Sequence, residues 1–162
     1  MKTGPQVTGT VNSCVFAGTQ SLSFTNDGPP PGNDDDYGAN PFVISGSNNT
    51  VTNNYLHDCW AQSFDYGVDG GGIDIYADGN GNVSNTFIAY NTMTDCNGAI
   101  EIGGSGGKTV SQTTFAYNKL INNGSILYVS NSGTFLTYAD NINFYNNVIV
   151  ETEPYRDRKS VV

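Results

Sequence analysis

The sequence predicts an all-β protein whose strands coil into a parallel solenoid. The first observation is composition: Asn, Ser, Thr, Gly and Tyr are abundant, while the helix-forming residues Lys, Glu and Leu are scarce. The second is a segment that recurs four times without gaps, and the third is a short apolar strand that follows the copies. Such repeats cannot bury their apolar residues alone and must stack on their neighbours, which favours a solenoid.

The repeated segment carries a column of asparagines. Each copy has an apolar residue, an Asn three positions later and a second apolar residue two positions after that. The copies are VTNNYLHDC, IAYNTMTDC, FAYNKLINN and FYNNVIVET, with the asparagines Asn54, Asn91, Asn118 and Asn147. A weaker copy begins at Val11, with Cys14 in the Asn position and Phe16 as its second apolar residue. We expect these positions to stack in one turn of the solenoid.

A second strand follows, in which apolar and mostly polar residues alternate as they do in a half-buried strand. The strands are LSF, IDI, IEI and LYV, which begin at Leu22, Ile73, Ile100 and Leu127. A third apolar patch at Val83, Val110 and Leu136 completes three short strands per coil. A chain of this length then holds about four to five coils.

Three strands per coil with an asparagine column at a turn resemble the right-handed parallel β-helix of the pectate-lyase-like superfamily. The resemblance covers about Val7 to Thr152 and implies right-handed coils whose stacked Asn side chains hydrogen-bond along the turn. Each such bond contributes about 1 kcal/mol net. That fold carries lyases, glycosidases and binding proteins, so the resemblance implies a carbohydrate-active protein without deciding its activity.

The domain organisation is predicted as one solenoid domain, residues 1–156, with two loop insertions and a tail. The insertions, residues 25–40 and 60–71, break the repeat, and long loops on a rigid scaffold are where function concentrates. The tail, residues 157–162, reads DRKSVV and breaks every column. Because it resembles a translated sequencing adapter, we interpret it as non-native and the chain as a piece of a longer protein.

The net charge of −9 limits the choice of partners. An acidic surface repels phosphate backbones, so we expect no nucleic acid partner. No apolar run is long enough to span a membrane, and we expect a monomer. The composition is that of a secreted protein, which favours an extracellular or cell-surface location although no signal peptide is present.

Neither a cofactor nor a metal is predicted, but calcium stays an alternative. The acidic run Asp34 to Asp36 could chelate a cation, and so could a column of Asp58, Asp95 and Glu151. The cysteines Cys14, Cys59 and Cys96 have no zinc-site spacing. Cys59 and Cys96 share a column, where a disulfide is open but two stacked buried thiols are favoured.

Two acids, Asp74 and Glu101, occupy the middle of the IDI and IEI strands. With isoleucines pointing inward on both sides, the acids should point outward and lie side by side, followed by Tyr128. An acid ladder tolerated in water would look the same. However, retaining glycosidases hold two carboxylates about 5 to 5.5 Å apart, close to the spacing of adjacent strands. We therefore predict Asp74 as nucleophile or base and Glu101 as general acid, with Asp69 in reserve.

Aromatic residues surround this predicted pair. Trp60 and Tyr66 lie in the second insertion, and Tyr76 and Tyr128 lie on the strands themselves. Aromatic side chains with a polar tip suit the amphipathic faces of sugar rings. The favoured function is hydrolysis of a neutral poly- or oligosaccharide. The alternatives are a non-catalytic carbohydrate-binding or structural solenoid, and a calcium-assisted polysaccharide lyase.

Overall fold

The computed structural model describes residues 9–17, 39–63, 67–79, 81–130 and 136–152, which form sixteen strands joined by turns. The strands are β1 Thr10–Asn12, β2 Val15–Ala17, β3 Phe42–Ile44, β4 Asn49–Thr52, β5 Tyr55–His57, β6 Ala61–Ser63, β7 Gly67–Asp69, β8 Ile73–Ala77, β9 Val83–Ala89, β10 Thr92–Thr94, β11 Ile100–Gly104, β12 Lys108–Ala116, β13 Lys119–Ile121, β14 Leu127–Val129, β15 Thr137–Tyr145 and β16 Val148–Val150. None of these residues belongs to a helix with the length and apolar character needed to cross a membrane.

Fourteen of the strands form three parallel sheets. Sheet A is β3-β8-β11-β14, sheet B is β1-β4-β9-β12-β15 and sheet C is β2-β5-β10-β13-β16. Each coil contributes one strand to sheet B, then one to sheet C, then one to sheet A, and every neighbouring pair in these sheets is parallel. The predicted all-β parallel solenoid is confirmed. A right-handed winding is the rule for parallel crossover connections.

The solenoid makes about three turns, slightly fewer than the four to five coils predicted from the repeat length. Three coils are complete within the described residues: β4-β5-β8, β9-β10-β11 and β12-β13-β14. The first coil is interrupted between β2 and β3, where residues 18–38 lie outside the described part of the chain, and the last has only β15 and β16. The strand predicted at LSF and the tail, residues 157–162, also lie outside it.

Strand register confirms most of the predicted columns. Leu56 pairs with Met93, which pairs with Leu120, and the column continues to Phe16 on one side and Ile149 on the other. One assignment is wrong, because the partner of Val110 in β15 is Ala139 and not Leu136. Leu136 belongs to the connection that precedes β15. The length of that connection shifts the register, and the apolar pattern alone does not reveal the shift.

The core is a continuous apolar column inside the three sheets. Ile73 and Ile75 from sheet A, Val83 and Ile88 from sheet B and Met93 from sheet C all belong to one cluster of buried residues. Because the side chains of a strand alternate between its two sides, the residues between these positions face away from the core. This alternation presents the middle residues of the sheet A strands on the outside of the solenoid.

Each coil bends at single residues with left-handed backbone dihedrals. Between sheets B and C these residues are Ser13, Asn53, Tyr90, Tyr117 and Asn146, with φ from 53° to 60°. Between sheets C and A they include Asp58, Asp95 and Asn122, with φ from 50° to 56°. Asn and Asp tolerate this conformation best among residues with a side chain. The backbone therefore favours Asp at two positions of the acidic column, Asp58 and Asp95, whereas its third member, Glu151, has no left-handed backbone.

The asparagine ladder is confirmed. The Asn91 Oδ1 atom accepts hydrogen bonds from the Asn54 backbone N–H and from the Asn54 Nδ2 group, each at 3.0 Å. The Asn91 Nδ2 group donates to the Val51 carbonyl at 2.9 Å and to the Asn118 Oδ1 atom at 3.0 Å. The same pattern repeats from Asn118 to Asn147. The ladder thus hydrogen-bonds one coil to the next inside a corner that excludes water.

All three cysteines are free thiols. Cys59 and Cys96 are buried one coil apart at the corner before sheet A. The sequence favoured two stacked buried thiols over a disulfide at these positions, and this is confirmed. The next residue in their column is Asn123, whose Oδ1 atom accepts from the Cys96 backbone N–H at 3.0 Å. Cys14 takes the corresponding place in the first ladder, where its N–H donates to the Asn54 Oδ1 atom at 3.0 Å. In both cases an Asn side chain of one coil accepts a hydrogen bond from the backbone N–H of a cysteine in the preceding coil.

Three side chains on the edge strands β14, β15 and β16 are exposed although they lie in core columns. Leu127, Phe144 and Ile149 occupy core columns, in register with Ile100, Phe115 and Leu120 of the preceding coil. Those three partners are buried, whereas Leu127, Phe144 and Ile149 are all exposed.

Candidate functional site

The predicted acid pair lies on the outer side of sheet A. Strand register places Asp74 beside Glu101 and Glu101 beside Tyr128, and Val43 precedes Asp74 in the same column. The juxtaposition of the two carboxylates with Tyr128 is confirmed. Neighbouring strands of a sheet are about 4.8 Å apart, so the two acids start from adjacent backbone positions.

Exposure along this column was predicted incorrectly for Asp74. Tyr128 is 56% exposed and Glu101 is partly exposed, but Asp74 is only 1% exposed, and Val43 before it is also buried. Ile73 and Ile75 on either side of Asp74 belong to the core cluster, so strand alternation places Asp74 on the outer side, where it is nevertheless buried. Facing outward guarantees exposure only where nothing packs over the sheet. The accessible part of the column therefore begins at Glu101.

A glycine makes room for an aromatic ring beside Glu101. Tyr76 pairs with Gly103 across β8 and β11. A Cβ atom at Gly103 would lie 3.2 Å from the Glu101 Oε1 atom and 3.3 Å from the Tyr76 Cδ2 atom. The carboxylate and the ring thus flank the same bare backbone position. An aromatic side chain next to a carboxylate is an arrangement that can hold the apolar face and a hydroxyl of one sugar ring.

The second insertion forms an antiparallel hairpin of β6 and β7. Its Val68 is buried, and the Val68 carbonyl accepts a hydrogen bond of 3.4 Å from the Asn97 Nδ2 group, at the corner that leads into β11. Asp69 pairs with Ala61 within the hairpin and lies outside the Asp74–Glu101 column. Trp60, which precedes β6, is partly buried, and Tyr66 lies outside the described residues. The hairpin is therefore a side wall next to the start of β11.

Sequence reasoning missed a row of tyrosines at the corner between sheets B and C. The rings of Tyr90 and Tyr117 stack with centroids 5.1 Å apart and planes 6° from parallel. Tyr145 meets Tyr117 edge-on, with centroids 5.9 Å apart. The available signal was a Tyr directly before the ladder Asn in two copies, Tyr90 before Asn91 and Tyr117 before Asn118.

The stacking explains why bulky residues occupy these strained positions. A left-handed backbone costs an L-residue about 1 to 2 kcal/mol, and Tyr lacks the local hydrogen bonds that help Asn. Stacking of an aromatic pair stabilises the protein by about 0.5 to 1.5 kcal/mol, which offsets part of the cost of the left-handed backbone. The stack leaves Tyr90 54% and Tyr117 46% exposed.

Charged groups near sheet A are acidic. Within the part of the chain that the structure describes, no group of three or more His, Cys, Asp or Glu side chains could hold a metal ion. The acidic run at residues 34–36 lies outside that part. Lys108 and Lys119 lie on β12 of sheet B and β13 of sheet C, away from the column. Asp58, offered as a calcium ligand, instead lies 2.7 Å from the His57 Nδ1 atom through its Oδ2 atom.

Comparison with known proteins adds no family to this description. No protein-family model, curated protein or solved structure matches the chain.

Proposed function

We propose that this protein is a glycan-binding β-solenoid that holds a neutral poly- or oligosaccharide over the outer side of sheet A. The observation that supports it most is the accessible part of the column, where the Glu101 carboxylate lies between Tyr128 and the ring of Tyr76. A carboxylate accepts hydrogen bonds from sugar hydroxyls, while aromatic rings cover apolar ring faces. Trp60, which precedes the hairpin, would contact the ligand at its margin.

Charge supports a neutral ligand. With a net charge of −9 and acids in the column, a polyuronate would be repelled unless a cation bridged it. A lyase also needs a base beside the substrate, and the lysines of β12 and β13 face other sides of the solenoid. The resemblance to the pectate-lyase-like superfamily favours an extracellular or cell-surface protein that acts on carbohydrate. The lyase activity of that superfamily is the less favoured alternative.

A second candidate function is glycoside hydrolysis at the same place. The adjacency of Asp74 and Glu101 in strand register favours hydrolysis, because most glycosidases use a pair of carboxylates to cleave the glycosidic bond. Glu101, the more accessible acid, would protonate the leaving oxygen. The burial of Asp74 means that it would reach the sugar only if the covering residues moved. Binding without hydrolysis requires no such movement and is therefore preferred.

Binding is tested by titrating the protein with neutral and acidic oligosaccharides and measuring affinity by calorimetry. We expect neutral ligands to bind, and Tyr128→Ser or Glu101→Gln to weaken binding by about tenfold each. Tyr138→Ser is a matched control, since Tyr138 is as exposed as Tyr128 but lies on sheet B. Equal affinities for all four proteins would move the site elsewhere. No binding of any glycan would leave a structural solenoid as the better description.

Hydrolysis is tested in the same preparations by following release of reducing ends. If the two acids act as a pair, Asp74→Asn and Glu101→Gln each abolish turnover while the far-ultraviolet circular dichroism spectrum stays the same. Turnover that survives in both variants rules out this pair as the catalytic groups.

A further inference from the structure

The corner between sheets B and C brings two phenol rings from neighbouring coils into contact. The rings of Tyr90 and Tyr117 are stacked, with centroids 5.1 Å apart and planes 6° from parallel. Tyr90 is 54% exposed and Tyr117 is 46% exposed, so both are open to a reagent in solution. Two accessible phenols in contact are suited to react with each other when they are oxidised.

The backbone holds this pair of rings together. Tyr90 and Tyr117 directly precede the ladder residues Asn91 and Asn118, and the Asn91 N–H donates to the Asn118 Oδ1 atom at 3.0 Å. The Tyr90 N–H itself donates to the Ala116 carbonyl at 3.2 Å. These bonds keep the two tyrosines on adjacent coils, at a backbone spacing of about 4.8 Å. Two reacting groups held side by side react with each other faster than with groups elsewhere.

The backbone does not call for tyrosine at either position. Both residues are left-handed, with φ of 60° at Tyr90 and 58° at Tyr117. Asn53 and Asn146 occupy the same turn of other coils, and Asn adopts this conformation at a lower cost than Tyr. The two tyrosines are thus adjacent where the backbone favours another residue, which directs attention to the rings.

We propose that Tyr90 and Tyr117 are an oxidative cross-linking site, at which a peroxidase with hydrogen peroxide joins two coils through a dityrosine. The one-electron oxidant removes an electron and the phenolic proton from each ring. The two phenoxyl radicals then form one carbon–carbon bond between ring positions ortho to the oxygens. Each coupled carbon loses its hydrogen as a proton and each oxygen takes one up, so that both phenols are restored. One hydrogen peroxide is reduced to two waters.

The observed geometry requires a modest rearrangement for this bond. The centroids of two directly bonded rings lie slightly closer together than the 5.1 Å seen here, so the rings mainly have to turn from stacked to edge-to-edge. Their exposure leaves room for that turn. Tyr145 is a competing partner of Tyr117, but its ring is farther away, at 5.9 Å, and 86° from parallel. Coupling is therefore expected at the Tyr90–Tyr117 pair. This proposal does not depend on glycan binding at sheet A.

The test is treatment of the dilute full chain with a peroxidase and limiting hydrogen peroxide, followed by isolation of the monomer. We expect the blue fluorescence of dityrosine and a mass loss of two hydrogen atoms. Cleavage after Lys108 separates Tyr90 from Tyr117 in sequence, so mass spectrometry of the digest identifies the cross-linked peptides.

Conservative variants test the assignment. Tyr90→Phe and Tyr117→Phe each keep a ring but remove a reacting phenol, and each should lower the yield within the monomer at least tenfold. Tyr145→Phe removes the competing partner and should leave the yield unchanged. Tyr138→Phe is the matched control, because Tyr138 is 55% exposed but its neighbour in register is Thr109.

The cross-link should also stabilise the fold. It closes a loop between positions that precede Asn91 and Asn118, which are 27 residues apart. A covalent bond across such a loop restricts the unfolded chain, and we expect the melting temperature of the cross-linked monomer to rise by about 5 °C. Tyr90→Phe treated in the same way should show no rise.

Cross-links that form only between molecules, or that map to other tyrosines, overturn the proposal. An equal yield in wild type and Tyr90→Phe overturns it as well. A cross-link at Tyr90 and Tyr117 that leaves the melting temperature unchanged would refute its role in joining the coils.

Discussion

Replacing Asn91 with alanine is expected to lower the free energy of unfolding by about 3 kcal/mol. The substitution removes the acceptor of the buried Asn54 N–H and a donor to the Val51 carbonyl, and it breaks the amide chain to Asn118. A buried donor left without a partner costs about 1 to 3 kcal/mol, and each lost hydrogen bond adds about 1 kcal/mol. Equilibrium unfolding in urea, followed by circular dichroism, measures the loss.

Asn147 provides a matched control for this prediction. Its side chain makes the same contacts, accepting from the Asn118 N–H at 2.9 Å and donating to the Phe115 carbonyl at 3.0 Å, but it lies in the last coil and is only partly buried. Water can replace these bonds, so Asn147→Ala should cost about 1 kcal/mol. Equal losses for the two alanine variants would mean that solvent reaches the whole ladder.

A third variant separates the polarity of the ladder from its shape. Asn91→Asp keeps an acceptor for the Asn54 N–H but turns the donating group into a second carboxylate oxygen, which faces the Val51 carbonyl and the Asn118 Oδ1 atom. It should therefore destabilise the protein at least as much as alanine does at neutral pH, since a buried charge faces two acceptors.

The columns could be predicted from sequence because a solenoid converts spacing into contact. Once Asn54 and Asn91 were aligned, Leu56 had to meet Met93. The pairing of Asp74 with Glu101 followed from the similarity of IDI and IEI, since the second insertion lengthens the connection before Ile73. Residues that are far apart in sequence become neighbours through the repeat alone. The same logic failed at Leu136, because the number of residues in a connection is not constrained by the columns on either side of it.

The burial of Asp74 could not be predicted in this way. The alternation of IDI assigns Asp74 to the outer side of sheet A, but alternation carries no information on whether other parts of the chain pack over that side, and Asp74 is 1% exposed. Insertions have no period from which contacts can be inferred. The acids at Asp58 and Asp95 have a left-handed backbone, which favours Asp independently of any chemical role, and the sequence alone does not separate the two reasons.

Replacing Gly104 with alanine is expected to have the largest effect on folding, a loss of about 3 to 5 kcal/mol. Gly104 ends β11, the strand that carries Glu101, with φ near 156°. An added Cβ atom would overlap the Ala77 carbonyl oxygen of the adjacent strand and lie 2.7 Å from the Thr137 Oγ1 atom. A backbone oxygen cannot turn aside as a side chain can, so β8 and β11 must separate at this last pair of their register.

Two other glycines distinguish this steric effect from backbone strain. At Gly106 the backbone is left-handed, with φ of 66°, but nothing lies within 4 Å of the added Cβ atom, so alanine should cost about 1 kcal/mol. At Gly79 the space is equally open and no left-handed φ is required, so alanine should be close to neutral. Thermal unfolding of the three variants should rank Gly104→Ala well below Gly106→Ala, with Gly79→Ala near wild type. If Gly104→Ala and Gly106→Ala lose the same amount of stability, backbone strain sets the cost, and not the overlap with the Ala77 carbonyl oxygen. In that case β8 and β11 lie farther apart at Ala77 and Gly104 than the structure shows.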